Sequence, residues 1–216
     1  MNAGKCIGKS VTVLFSVFLV LTVSASLRAG EQEDCQTATN QNTIDVLESY
    51  LKRYPKGENA KAVREAYDNL LWQEAEKAAD NPIALESIFK RCKTPDGSDK
   101  VFRLWDDALW AGAKKADTGE AYREYLLRFP GGTHVKEATA AVEEATWRRC
   151  QEAGKIEFYE AYLKEYPNGT HAKEAGEAIN DHAYQAAREK DSIEAYESFL
   201  KDHYGHKAAG KRLRQL

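Results

Sequence analysis

The chain repeats itself, and that limits what it can fold into. EFYEAYLKEYPNGTHAKEA (157–175) aligns with EAYREYLLRFPGGTHVKEA (120–138); the block opens as DVLESYLKRYPKG (45–57) and returns as EAYESFLKDHYGH (194–206). A degenerate copy, ALESIFKRCKTPDG (84–97), lies between. A second landmark runs beside the first: Trp72, Trp110, Trp147 and Tyr184, spaced 38, 37 and 37 residues, each followed three residues on by Ala75, Ala113, Cys150 and Ala187. Two landmarks with one period of about 37 residues mark tandem units.

Each unit reads as two helices. In the shorter, 156–166, the apolar residues Phe158, Tyr159, Tyr162, Leu163 and Tyr166 recur at helical spacing and cannot form one face of a strand. Pro167 ends it, and Asn168-Gly169 supplies a turn. The longer helix is expected from Thr170 to about Glu189, with Thr170 or Thr133 as N-cap and Glu174 or Glu137 in the first turn. Asp117-x-x-Glu120 and Asp191-x-x-Glu194 have the spacing of a capping box opening the next short helix, and Asn81-Pro82 opens the second one. A two-helix unit cannot bury its apolar stripe alone, so the units must stack. The expected fold is all-α, an α-solenoid of four long and five short helices over residues 43–216, ending on a truncated tenth helix at 206–216. The recurring rings Tyr50, Tyr125, Tyr162 and Phe199, together with Trp147, are expected in the core.

The first thirty residues read as an address. Lys5 and Lys9 precede the apolar run VTVLFSVFLVLTV (11–23), followed by Ser24, Ala25 and Ser26, the pattern of a secretory signal peptide. The run is shorter than the ~20 residues that cross a bilayer as a helix. Residues 1–29 are therefore expected as a signal peptide cleaved after Ala25 or Ala29, Ala25 being favoured; the rival is an uncleaved anchor extending to Leu27. Residues 30–42, GEQEDCQTATNQN, are polar and aperiodic and read as a linker. The expected compartment is the periplasm or the exterior.

Composition narrows the function. Lys plus Arg is 31 against Asp plus Glu 34, a net charge of −3, and no basic footprint for nucleic acid is present. Cys35, Cys92 and Cys150 remain after processing, an odd number; Cys150 reads as a small buried hydrophobe, and a Cys35–Cys92 bond is one option. His134 and His171 take the same place in consecutive units, each with Glu at i+3 (Glu137, Glu174), which raises a metal site. Repeat symmetry accounts for that pairing without a metal, so no metal, cofactor-binding or catalytic residue is assigned. Glu143-Glu144 reads as a solvated face, and the segment 201–216, with Lys201, Lys207, Lys211, Arg212 and Arg214 against Asp202, as a solvated cap.

The pattern W-x-x-A, then D-S-x-E-A-Y-x-x-[FY]-L-x-x-[YF]-P-x-G-x-H-x-x-E-A, resembles the tetratricopeptide-like repeats of bacterial envelope and secreted proteins, such as the cell-division coordinator and the outer-membrane barrel-assembly lipoprotein. The resemblance covers residues 43–216. It implies a right-handed solenoid whose longer helices line the concave side, and a non-catalytic scaffold or adaptor that binds a protein or peptide there. The implied state is a monomer or weak homo-oligomer with at most peripheral membrane association; a self-associating structural component is the alternative. The chain departs from the assembly lipoprotein in lacking a lipidation cysteine, and its second unit replaces Tyr-Pro by Cys92-Lys93-Thr94-Pro95.

Overall fold

A computed structural model describes residues 29–216, all-α, with no strand among the described residues. The expected signal segment, apart from Ala29, lies outside them. Residues 29–41 are helical (α1). Then follow α2 (Ile44–Arg53), α3 (Ala60–Lys77), α4 (Pro82–Phe89), α5 (Pro95–Ala116) and α6 (Gly119–Arg128). The chain continues with α7 (Val135–Ala153), α8 (Ile156–Glu165), α9 (Ala172–Lys190), α10 (Ile193–Asp202) and α11 (Lys207–Leu213). Two compact units result, one up to Ala108 and one from Leu109, the division falling within α5.

In the first unit α2 packs on α3 and α3 on α4. Its core joins Leu47 and Tyr50 of α2, Tyr67 and Leu71 of α3, Leu85 of α4 and Val101 of α5. Ala38 of α1 belongs to the same cluster and is 1% exposed. Residues 30–42 are therefore not a linker. Cys35 and Ala38 stand 37 residues before Trp72 and Ala75, the same spacing that separates the landmarks of the long helices. Cys35 in the aromatic's place hides α1, as does the polar outer face of a helix that buries one narrow stripe.

In the second unit neighbouring helices pack pairwise from α6 to α11. Trp110 lies against Tyr122 and Tyr125, with ring centroids 5.7 and 5.5 Å away, and Trp147 against Tyr159 and Tyr162 at 5.7 and 5.4 Å. Trp147 is 7% exposed, in the core as expected. Ala187, Tyr196, Phe199 and Ala209 form a further cluster where α9, α10 and α11 meet.

Three of the short helices stop at proline, as expected, but the caps differ from the expected ones. α2, α6 and α8 stop on Tyr54, Phe129 and Tyr166, each with φ near −126° and ψ near 64°. The following residue is Pro55, Pro130 or Pro167, which bars the preceding residue from the helical region. The long helices α7 and α9 begin after His134 and His171, neither of which caps through its side chain; Thr133 and Thr170 are not the N-caps. The capping-box reading of Asp117 and Asp191 is also corrected. Thr118 and Ser192 are the caps, their hydroxyl oxygens accepting the N–H of Ala121 and Ala195 at 3.2 Å. Asp117 and Asp191 are the left-handed residues that end the preceding helix, with φ of 48° and 41°. Asn42 and Gly154 do the same after α1 and α7, and all four donate their N–H to the carbonyl of the small residue four positions back: Ala38, Ala113, Cys150 and Ala187.

Candidate functional site: helix junctions and the grooves beside them

Four of the helices carry a carboxylate four residues before the landmark position, Glu31 in α1, Asp68 in α3, Asp106 in α5 and Glu143 in α7, whereas α9 has Asn180 there. In three of these the structure shows the carboxylate tying down the turn that follows the next short helix. Glu31 accepts the Tyr50 hydroxyl at 2.8 Å and the Asn59 N–H at 3.2 Å. Glu143 accepts the Tyr162 hydroxyl at 2.7 Å and the Thr170 N–H. In α4 the equivalent position is Ile88, with no hydroxyl to donate, and Asp68 instead accepts the Lys93 and Thr94 N–H groups at 2.8 and 2.7 Å and the Thr94 hydroxyl. Glu143 is thus part of a junction, which corrects the reading of Glu143-Glu144 as a solvated face. The signal was present in the 37-residue register, but an acid on a charge-rich helix does not stand out.

The Tyr162 hydroxyl hydrogen bond holds the Glu143 carboxyl below the usual carboxylate range. Conversely, burial, followed by that bond, pushes the Tyr162 phenol up to about 12. A neutral hydroxyl donating to a charged carboxylate is thereby the stable form across the physiological range.

The histidines belong to the same junctions. His134 stacks on Trp110 at 5.4 Å and 15°, and His171 on Trp147 at 4.9 Å and 5°. Their backbone N–H groups reach the hydroxyl oxygens of Tyr125 and Tyr162 at 3.0 and 3.1 Å. His171 Nε2 lies 2.8 Å from Glu144 Oε2. Each imidazole therefore faces its own indole. No cluster of three or more His, Cys, Asp or Glu suited to a metal occurs among the described residues.

Beside these junctions the second unit has a groove of about 640 Å3, walled by the start of α6, the second half of α7 and one face of α8. Arg148 lies on one side, paired with Asp117 at 2.5 Å. That guanidinium, and then the Tyr122 hydroxyl, lower the Asp117 carboxyl to about 2. Arg149 lies over the Phe158 ring at 5.6 Å, and Arg123 stands 3.5 Å from Glu165. Glu120 and Glu152 complete a rim of both signs. In the first unit a groove of about 610 Å3 lies between α3 and the turn into α5; Trp72 forms its wall and Lys61, Arg64, Lys93 and Lys100 surround it.

Such surfaces suit hydrogen bonding and ion pairing to an extended or helical polypeptide. The thiols near them are unsuited to nucleophilic chemistry. Burial pushes Cys92 up to about 11 and Cys150 above the ordinary thiol value, so both stay protonated at neutral pH. Cys35, Cys92 and Cys150 are all free thiols, and the Cys35–Cys92 bond is not formed. Cys150 is 2% exposed and donates to the Phe158 carbonyl oxygen at 3.3 Å, in keeping with its reading as a small buried group. A scan against protein-family models finds no match, and no curated protein matches the chain.

Proposed function

We propose that this protein is a non-catalytic interaction scaffold of the bacterial cell envelope, a right-handed solenoid of tetratricopeptide-like repeats that holds a protein or peptide partner on the surface of its helix pairs. The observation that carries this reading is the division of labour in the second unit. Its recurring rings Trp147, Tyr125, Tyr162 and Phe199 are consumed by packing, while the α6–α8 groove presents charged side chains of both signs beside the half-buried Phe158. A rigid frame with an open polar groove is what a peptide-binding repeat protein needs. The signal-like pattern of Lys5, Lys9 and the run 11–23 supports export. No described helix is long and apolar enough to cross a membrane.

The alternative is a self-associating structural component, favoured by Ile83 and Leu127, each 82% exposed. Affinity capture from detergent-solubilised envelope of the source organism, paired with light scattering of the purified chain, separates the two. A stoichiometric partner lost on unfolding the bait supports the scaffold. Recovery of the bait alone, with mass rising with concentration, supports the structural component.

A further inference from the structure

α11 presents two opposite faces. Ala209 is fully buried, Leu213 packs on the same cluster, and Arg212 Nε reaches Asp191 Oδ1 at 2.9 Å. Lys207, Lys211 and Arg214 are all exposed and fall at i, i+4 and i+7. At ~100° per residue that spacing gathers them within an arc of about 60°, directly away from the packed side. Lys201, at the end of α10, adds a fourth exposed cation. Asp202 is the one acid between residues 201 and 216, in a chain whose net charge is −3. The turn into α11 carries Tyr204, 98% exposed, and Leu216 beyond it is 44% exposed.

We propose that the outer face of α11, with Tyr204, is a docking surface for the anionic headgroups of a phospholipid bilayer. This goes beyond the scaffold reading and stands independently of it. Charge complementarity supplies the attraction: three cations on one helical face, with a fourth beside them, meet a negative surface together. Of the acids of α10, Glu194 and Glu197 lie toward its other end and Asp202 stands beside Lys201, so an approach through α11 meets four cations against one acid. An exposed phenol beside the cations favours a bilayer over a soluble acidic polypeptide, because tyrosine partitions to the headgroup level with its ring toward the acyl chains. The packed side of α11 is already held by Asp191 and the Phe199 cluster, so docking requires no rearrangement.

The test is co-sedimentation of the mature chain with vesicles of phosphatidylcholine alone or mixed equally with phosphatidylglycerol. Binding is expected only to the phosphatidylglycerol vesicles, and it should weaken as salt is raised. Each cation near such a surface is worth about fivefold in partitioning, so Lys207→Gln with Lys211→Gln should lower binding by roughly 25-fold. Tyr204→Ala should lower it further, by severalfold, at unchanged charge. Circular dichroism matching the parent chain shows that the variants are folded. Equal binding to both vesicles, binding to neither, or charge variants that bind like the parent would overturn the proposal. Retention on polyglutamate without vesicle binding would also overturn it and assign the surface to an acidic protein.

Discussion

The Tyr162 hydroxyl donates to Glu143 Oε1 at 2.7 Å, joining α8 to the preceding long helix. The same hydroxyl oxygen accepts the His171 N–H and the same carboxylate oxygen accepts the Thr170 N–H, so two side chains satisfy two backbone donors where α9 begins. Tyr50 and Glu31 repeat the bond at 2.8 Å, with Asn59 as the backbone donor to the carboxylate. A helix start whose capping side chain is absent is completed in this way from the neighbouring helices.

Tyr162→Phe keeps the ring and removes the hydroxyl, leaving a half-buried carboxylate and one N–H short of a partner. The expected loss is about 1–3 kcal/mol in urea unfolding, with an unchanged m-value. Tyr50→Phe should behave alike. A midpoint equal to that of the parent would show that water replaces the hydroxyl without cost.

Asp117 makes stability fall in acid. Its carboxyl is lowered to about 2 in the folded chain, against 3.8 ordinarily, with the Arg148 guanidinium the larger cause. A depressed carboxylate contributes fully above its unfolded value and loses that contribution as pH drops through the folded one. Thermal midpoints should therefore fall between about pH 5 and pH 2, and less steeply in Asp117→Asn, measured by circular dichroism over that range. Parallel curves for the two chains would contradict the pairing. Tyr162 works at the other end: with its phenol pushed up to about 12, its contribution is present below pH 10 and lost as pH rises toward 12.

Trp147→Ala removes a 7%-exposed indole that touches Tyr159, Tyr162 and His171. About 3–5 kcal/mol should be lost. A shift of only a degree or two in the thermal midpoint would place the ring in a binding surface instead of the core.

Gly154 holds φ of 58° between α7 and α8, the place that Asp117 and Asp191 occupy at the other junctions. Gly154→Ala should cost about 1 kcal/mol, because alanine pays for the left-handed conformation without any new bond. Gly154→Asn should recover most of that in the same unfolding assay, since asparagine tolerates this region. Equal stability of all three chains would contradict the strain argument.

Helices were legible wherever an aromatic marked the register, as at Trp110, Trp147 and Tyr184. α1 was not, because Cys35 stands where the aromatic would be and Ala38 buries too little surface to announce itself. Pro167 and Asn168-Gly169 located the turn before α9, yet the N-cap was misplaced: Thr170 offers a capping hydroxyl, whereas the structure lets Glu143 take its N–H. In the sequence Asp117 and Asp191 stand three residues before Glu120 and Glu194, the local spacing that suggests a capping box. Their partners Arg148 and Arg212 lie 31 and 21 residues away, a relation only packing creates. The groove joins residues from three helices and has no local signature in the chain.

The scaffold reading is tested most directly by a photoreactive amino acid placed at Arg149, on the groove wall, and separately at Thr139, exposed near the other end of α7. Each chain would be irradiated in its native host and its adducts identified by mass spectrometry. The account predicts one heterologous protein adduct at position 149 and its absence at 139. Adducts only to other copies of the chain, or the same adducts at both positions, would contradict it.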